Sequence, residues 1–256
     1  MGVVGAAIAT GIAQAASFLA AFIYMNKKYA YFRWKLREWA FECKLAIKIL
    51  QVGFPMALQQ IIVSFGFFFI QRAVNSYGQA MTASFTVAQR IENYLSMPAA
   101  AFQITMATYV GQNMGAGKIE RVTKGAKQTI ILSEITTIVV SAIFFACTHS
   151  LISMFGLSEQ ATLYCVEHVH KTAFAMLIFA GYFPILGLFQ GSGHAFAATL
   201  VATMALTTRV VCTYTLCYLP IFEYRIIWWN QFFGFAVACT IAWSYYLSGK
   251  CKMNKV

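Results

Sequence analysis

The sequence contains no aspartate: its eight acidic residues are all glutamates. Charge of either sign is scarce, at 11% of 256 residues, where a soluble domain carries about 25%. A chain this poor in charge cannot cover itself with polar surface, which excludes a water-soluble globule. The seven cysteines form no Cys-x-x-Cys pair, and no histidine stands at metal-ligand spacing, so neither a zinc module nor a disulfide framework is expected. No Ser–His pair or His/Asp cluster lies at catalytic spacing, which argues against an enzyme. A P-loop is excluded too. It needs four residues between its first glycine and Gly-Lys, then Ser or Thr for magnesium. Here five residues separate Gly111 from Gly117-Lys118, and Ile119 follows.

What is present is apolar sequence, 60% of the chain. About 20 mostly apolar residues cross a bilayer as a helix. The spans expected are 1–25, 46–74, 81–110, 129–155, 172–190, 195–219 and 226–248. That makes an all-α, polytopic membrane protein of seven transmembrane helices. The first span has no basic residue before it and no cleavage-site pattern, so it is not expected to be a signal peptide. The net charge of +11 would suit nucleic acid, but its distribution points elsewhere. Lys27, Lys28, Arg33, Lys35, Arg37, Lys44 and Lys48 flank the first connector; Lys118, Arg121, Lys124 and Lys127 fill the third; Lys250, Lys252 and Lys255 lie in the tail. Basic connectors mark the cytoplasmic side. The expectation is a multi-pass protein of the plasma (inner) membrane with its N-terminus outside, its C-terminus cytoplasmic, and no nucleic-acid partner.

Residues 26–45 mix these basic residues with Tyr29, Phe32, Trp34, Trp39 and Phe41, which suits a cytoplasmic amphipathic linker at the headgroup level. Cys165, Glu167, His168 and His170 fall on an expected outer connector and read as a solvated loop. Pro55, Pro98 and Pro184 interrupt spans; proline deletes a helical hydrogen bond, and broken helices beside polar groups often border transporter cavities. Polar groups within spans are costly, so each is a functional candidate. Gln59, Gln60, Arg90, Glu92 and Asn93 are the pathway candidates, and Glu92 is the expected mid-membrane ion carrier. Arg90 and Glu92 point to different faces of one helix and need partners elsewhere. Glu134 can snorkel to the inner surface, whereas Arg209 is too deep and needs a partner.

Four stretches in order carry a resemblance: Val52-Gly-Phe-Pro-Met-Ala-Leu-Gln-Gln60, Arg90-Ile-Glu92 with Pro98, Gly111-Gln-Asn-Met-Gly-Ala-Gly117 with Arg121, and Phe189-Gln-Gly-Ser-Gly193. With Gly5-Ala-Ala-Ile-Ala-Thr10 in the first span, the chain resembles the multidrug and toxic compound extrusion (MATE) family. The resemblance implies two six-helix lobes joined by a linker. Residues 1–25 would be the last helix of the N-terminal lobe, 26–45 the linker, 46–249 the C-terminal lobe and 250–256 the cytoplasmic tail. It implies export of a small organic substrate, cationic by expectation, by antiport against Na+ or H+ as two lobes alternate access. The N-terminal lobe would be a needed partner, on the same polypeptide or a separate chain, and no cofactor beyond the coupling ion is expected. The helices that carry second-lobe carboxylates in some members offer Gln59, Gln60 and 179–190 here, with no acid among them. A seven-helix receptor or sensor is the alternative, since the topology matches. It lacks Asp-Arg-Tyr, Asn-Pro-x-x-Tyr and a lysine midway along the last span.

Overall fold

A computed structural model describes residues 2–29 and 42–248. The middle of the expected linker, 30–41, and the expected tail, 250–256, lie outside these residues. The chain divides into two units, Met1–Lys48 and Ile49–Val256. The described part of the first is largely helix α1, Gly2–Lys28. Its apolar side chains, among them Val4, Ile12 and Phe18, are about two-thirds exposed, which suits a helix that meets lipid rather than water. Lys28 Nζ donates to the Tyr24 hydroxyl at 2.8 Å near its end.

The larger unit is a bundle of α2 (Cys43–Asn75, whose first turns belong to the smaller unit), α3 (Gln79–Gly115), α4 (Ile119–Ser153), α5 (Glu159–Phe179), α6 (Tyr182–Gly191), α7 (Ala195–Leu216) and α8 (Ile226–Leu247). The described residues form no strand. Among the described residues five helices, α1 among them, are long and apolar enough to cross a membrane, and the bent pair α5–α6 meets the same test when its two helices are taken together. Helix α3 has 37 residues, about 55 Å at 1.5 Å per residue. Gln89, Arg90, Glu92 and Asn93 dilute its apolar character, so the expected span 81–110 does not meet the apolarity of the others, and the described residues give five or six spans where seven were expected.

Two helices begin well before their expected starts, for the same reason. Helix α4 starts at Ile119 rather than at 129. Its first turns bury Val122, Gly125 and Ala126 and expose Arg121, Lys124 and Lys127, an amphipathic pattern with the period of a helix. Helix α5 starts at Glu159 rather than at 172 because Ser158 caps it, its hydroxyl accepting from the Ala161 N–H at 3.3 Å. Ala161, Cys165, His168, Val169, Thr172, Ala173 and Met176 form its buried stripe. The expected solvated loop at 165–170 is therefore helix, and Cys165 and His168 are in the core. The Gly111 connector is likewise shorter than the sequence suggests. Gly111 to Gly115 continue α3, and only Gly117, at φ +70, makes the turn, with the Lys118 N–H closing onto the Asn113 carbonyl at 2.8 Å.

The three interior prolines differ in effect. Helices α2 and α3 run unbroken through Pro55 and Pro98. Pro184 breaks its span: it has no N–H for the Ala180 carbonyl, and its ring crowds that carbonyl. The helix stops at Ala180–Gly181 and restarts at Tyr182 with a 55° bend. Helix α6 then lies against α3 at very short range. A Cβ at Gly187 would strike the Gln103 carbonyl oxygen, and one at Gly191 would strike the Ala107 carbonyl oxygen. Gly187-x-x-x-Gly191 is thus a small-residue seam that lets two backbones touch. Ala198 and Ala205 of α7 and Ala238 and Ala242 of α8 belong to one buried cluster.

Candidate functional site

The most polar region of the bundle lies toward the end at which α3, α5 and α8 begin. Glu92 is roughly 20 Å along α3. Gln231 on α8 donates from Nε2 to Glu92 Oε1 at 2.6 Å. On the other carboxylate oxygen, His168 of α5 places Nε2 at 3.7 Å from Oε2, an ion pair when the imidazole is protonated. The imidazole is held between rings: Trp228 stands 4.5 Å from it and Phe85 5.6 Å, centroid to centroid. Three helices, α3, α5 and α8, therefore meet at one carboxylate, and two rings hold the imidazole that faces it.

Arg209 extends the cluster. Its Nε donates to Asn230 Oδ1 at 3.2 Å, and Asn230 Nδ2 donates to the Thr213 hydroxyl at 2.9 Å. The guanidinium lies over the Phe67 ring, 5.2 Å from its centroid. Its aliphatic stem crosses α8 where Gly234 has no side chain; a Cβ there would lie 2.5 Å from Arg209 Cγ. The deep arginine therefore has Asn230 and the Phe67 ring as the partners its position demands.

Several buried polar atoms of this cluster have no hydrogen-bond partner among the described residues: Glu92 Oε2, His168 Nδ1, Trp228 Nε1 and Gln231 Oε1. Buried polar groups are nearly always partnered, and an orphaned set around one carboxylate is a place for a proton, a water or a small ion. Among the described residues no group of three or more His, Cys, Asp or Glu is placed to hold a metal ion.

The candidate residues do not converge. Only Glu92 belongs to the cluster. Arg90 is exposed on another face of α3 and lines a separate cavity of about 800 Å³ with Asn75, Gln79, Thr82 and Thr86. Asn93 and Gln60 are exposed. Gln59 turns toward α7, where the Thr199 hydroxyl lies 3.5 Å from its Oε1 and 3.3 Å from the Pro55 carbonyl. His168, Asn230 and Gln231 join the site without having been candidates. The last two had a signal: an amide pair inside α8, between Trp228-Trp229 and Phe232-Phe233, falls under the same cost rule that singles out Glu92.

A model of the MatE family matches residues 55–215, which take in Glu92, His168 and Arg209 and stop before α8. The chain belongs to the MatE family. Among its relatives, the probable multidrug resistance protein YoeA of Bacillus subtilis (strain 168) is 26% identical over 251 residues, covering 96% of this chain and 54% of that protein. The probable multidrug resistance protein NorM of Thermotoga maritima is 24% identical, covering 100% of this chain and 55% of that protein. In three dimensions, a crystal structure of MATE in complex with MaL6 superposes with a TM-score of 0.88 at 21% identity, covering 100% of this chain and 58% of the other. The chain spans about half the length of the MatE relatives it matches. A further relative, named the multidrug export protein MepA of Staphylococcus aureus (strain NCTC 8325 / PS 47), is 22% identical over 205 residues, covering 80% of this chain and 45% of that protein; its name is that of a transporter, not an enzyme, and the match does not favour the receptor alternative.

Proposed function

We propose that this MatE-family chain supplies helices to a two-lobe secondary transporter that exports a small organic cation. In this reading 46–249 is the C-terminal lobe, α1 is the last helix of the N-terminal lobe, 26–45 is the cytoplasmic linker and 250–256 the cytoplasmic tail. The N-terminus lies outside, the membrane is the plasma membrane, and the N-terminal lobe is a required partner. Glu92 carries the coupling ion as the lobes alternate access. The supporting observation is its clamp: one oxygen held by Gln231 and the other left facing His168 with no hydrogen-bond partner. The groups around it, Gln231 Nε2, His168 and Arg209, present donors, whereas hard metal cations need several oxygens. The clamp is therefore a poor Na+ site, and since the same donors hold Glu92 charged, a proton is taken up when they turn away as the lobes alternate.

The test is transport. In proteoliposomes holding a two-lobe transporter that contains this lobe, Glu92→Gln should abolish pH-gradient-driven dye efflux while membrane insertion stays normal. Unchanged efflux would make Glu92 a packing residue. Efflux driven by this 256-residue chain alone would overturn the partner requirement.

A further inference from the structure

On another side of the bundle, at the break between α5 and α6, lies a cavity of about 480 Å³ bounded by α4, α6 and α8. Its rim residues Ile135, Ile138 and Trp243 are 54%, 45% and 38% exposed, so it opens sideways, where a membrane helix meets acyl chains. Glu134 lines it and is the one charged group among its lining residues. The buried oxygen Glu134 Oε2 has no hydrogen-bond partner among the described residues and faces Gly181, where a Cβ would lie 3.6 Å away. Glu134 thus turns to the helix break instead of snorkelling. Acidic groups within spans normally pair or face a functional cavity; Glu134 has the cavity, only the Gly181 backbone beside its carboxylate, and no cationic partner among the described residues.

We infer that this lateral cavity binds a hydrophobic ammonium compound that reaches it from within the bilayer. A lone carboxylate deep between isoleucines complements one positive charge. The Trp243 indole at the rim suits the same charge, and the volume falls in the range of small-ligand pockets, about 300–1,000 Å³. A metal cation is a poor occupant because the lining offers one carboxylate among apolar side chains. The ammonium of a phospholipid is a poor occupant by depth. Glu134 lies roughly 10 Å along α4 beyond Lys127, the last of the basic residues that mark the headgroup level at that end. A free amine with an apolar body fits without that constraint. The site is separate from the Glu92 cluster and does not depend on the transport reading.

The chain, purified and placed in phosphatidylcholine nanodiscs, is titrated with 2-naphthylmethylammonium, and partition into empty discs is subtracted. The expected result is saturable binding that weakens about tenfold or more in Glu134→Gln, is restored in part by Glu134→Asp, and is blocked by Ile138→Trp. The carboxylate of equal size, 2-naphthoate, should show no saturable binding. Glu92→Gln should bind as the unaltered chain does, and helical circular dichroism confirms that each variant is folded. Equal binding of naphthoate, equal affinity in Glu134→Gln, or loss of binding in Glu92→Gln alone would each overturn the assignment.

Discussion

The seam between α3 and α6 is the place where one added methyl group should cost most. Gly187 and Gly191 press on the Gln103 and Ala107 carbonyls, and a Cβ at Gly187 would also come within 3.0 Å of Met106 Cβ. Unlike a flexible side-chain tip, these are backbone atoms of a continuous 37-residue helix, so the clash is relieved only by parting the helices. Carbon atoms rest at about 3.5–4.0 Å, which requires a separation of roughly 1 Å at this seam. Overpacking of this kind costs about 1–3 kcal/mol, less the ~0.5–1 kcal/mol that alanine gains over glycine in a helix. At about 2–4 °C per kcal/mol for a chain of this size, Gly187→Ala should lower the melting temperature by several degrees. Gly187→Ala/Gly191→Ala should lower it by less than the sum of the two single changes, because both part the same helices. The assay is thermal unfolding in detergent followed by circular dichroism. Gly11→Ala is the reference, since a Cβ there meets nothing within 4 Å and the change should be neutral or slightly stabilising. If the double variant melts with the unaltered chain, the two backbones are not in contact and the packing argument fails.

Two further outcomes follow from the same structure. Asn230→Ala leaves Arg209 Nε without its acceptor, while the Thr213 hydroxyl keeps its bond to the Arg209 carbonyl; the loss should cost about 1–3 kcal/mol in denaturant unfolding, and a loss below ~0.5 kcal/mol would mean that water already serves Arg209 Nε. Pro184→Ala returns an N–H to the Ala180 carbonyl and should straighten the α5–α6 span. For rods of 21 and 10 residues bent by 55°, straightening lengthens the distance between spin labels at positions 159 and 192 by about 5 Å. An unchanged distance would assign the bend to packing against α3 instead of to the proline.

The helical, membrane-spanning character was legible because it rests on composition and on runs of apolar residues, neither of which depends on neighbours. Boundaries were less so. Residues 119–128 and 159–171 read as connectors because their charges and histidines dilute the apolar signal, yet each has a buried stripe at helical spacing. Such a stripe becomes decisive only when another helix stands against it. The site was half legible. Glu92 announced itself by the cost of a carboxylate in a span, but its partners come from α5 and α8, 76 and 139 residues away. Nothing local marks Gln231 as the group that reaches Glu92. Arg90 and Asn93 were grouped with Glu92 by nearness in sequence, and the helix turns them to other faces. The Gly187-x-x-x-Gly191 seam was not among the sequence expectations; it shows only where α6 meets the main chain of α3.

The break at Ala180–Gly181 gives the two halves of one span different mechanical standing. Below it, α6 is gripped by another helix's main chain, a contact that admits almost no sliding. Above it, α5 is held by side chains on α3, α4 and α8, which can exchange rotamers without breaking a backbone bond. Reorientation of this span under load would be borne by the capped half that carries His168, while the glycine half stays fixed as its pivot.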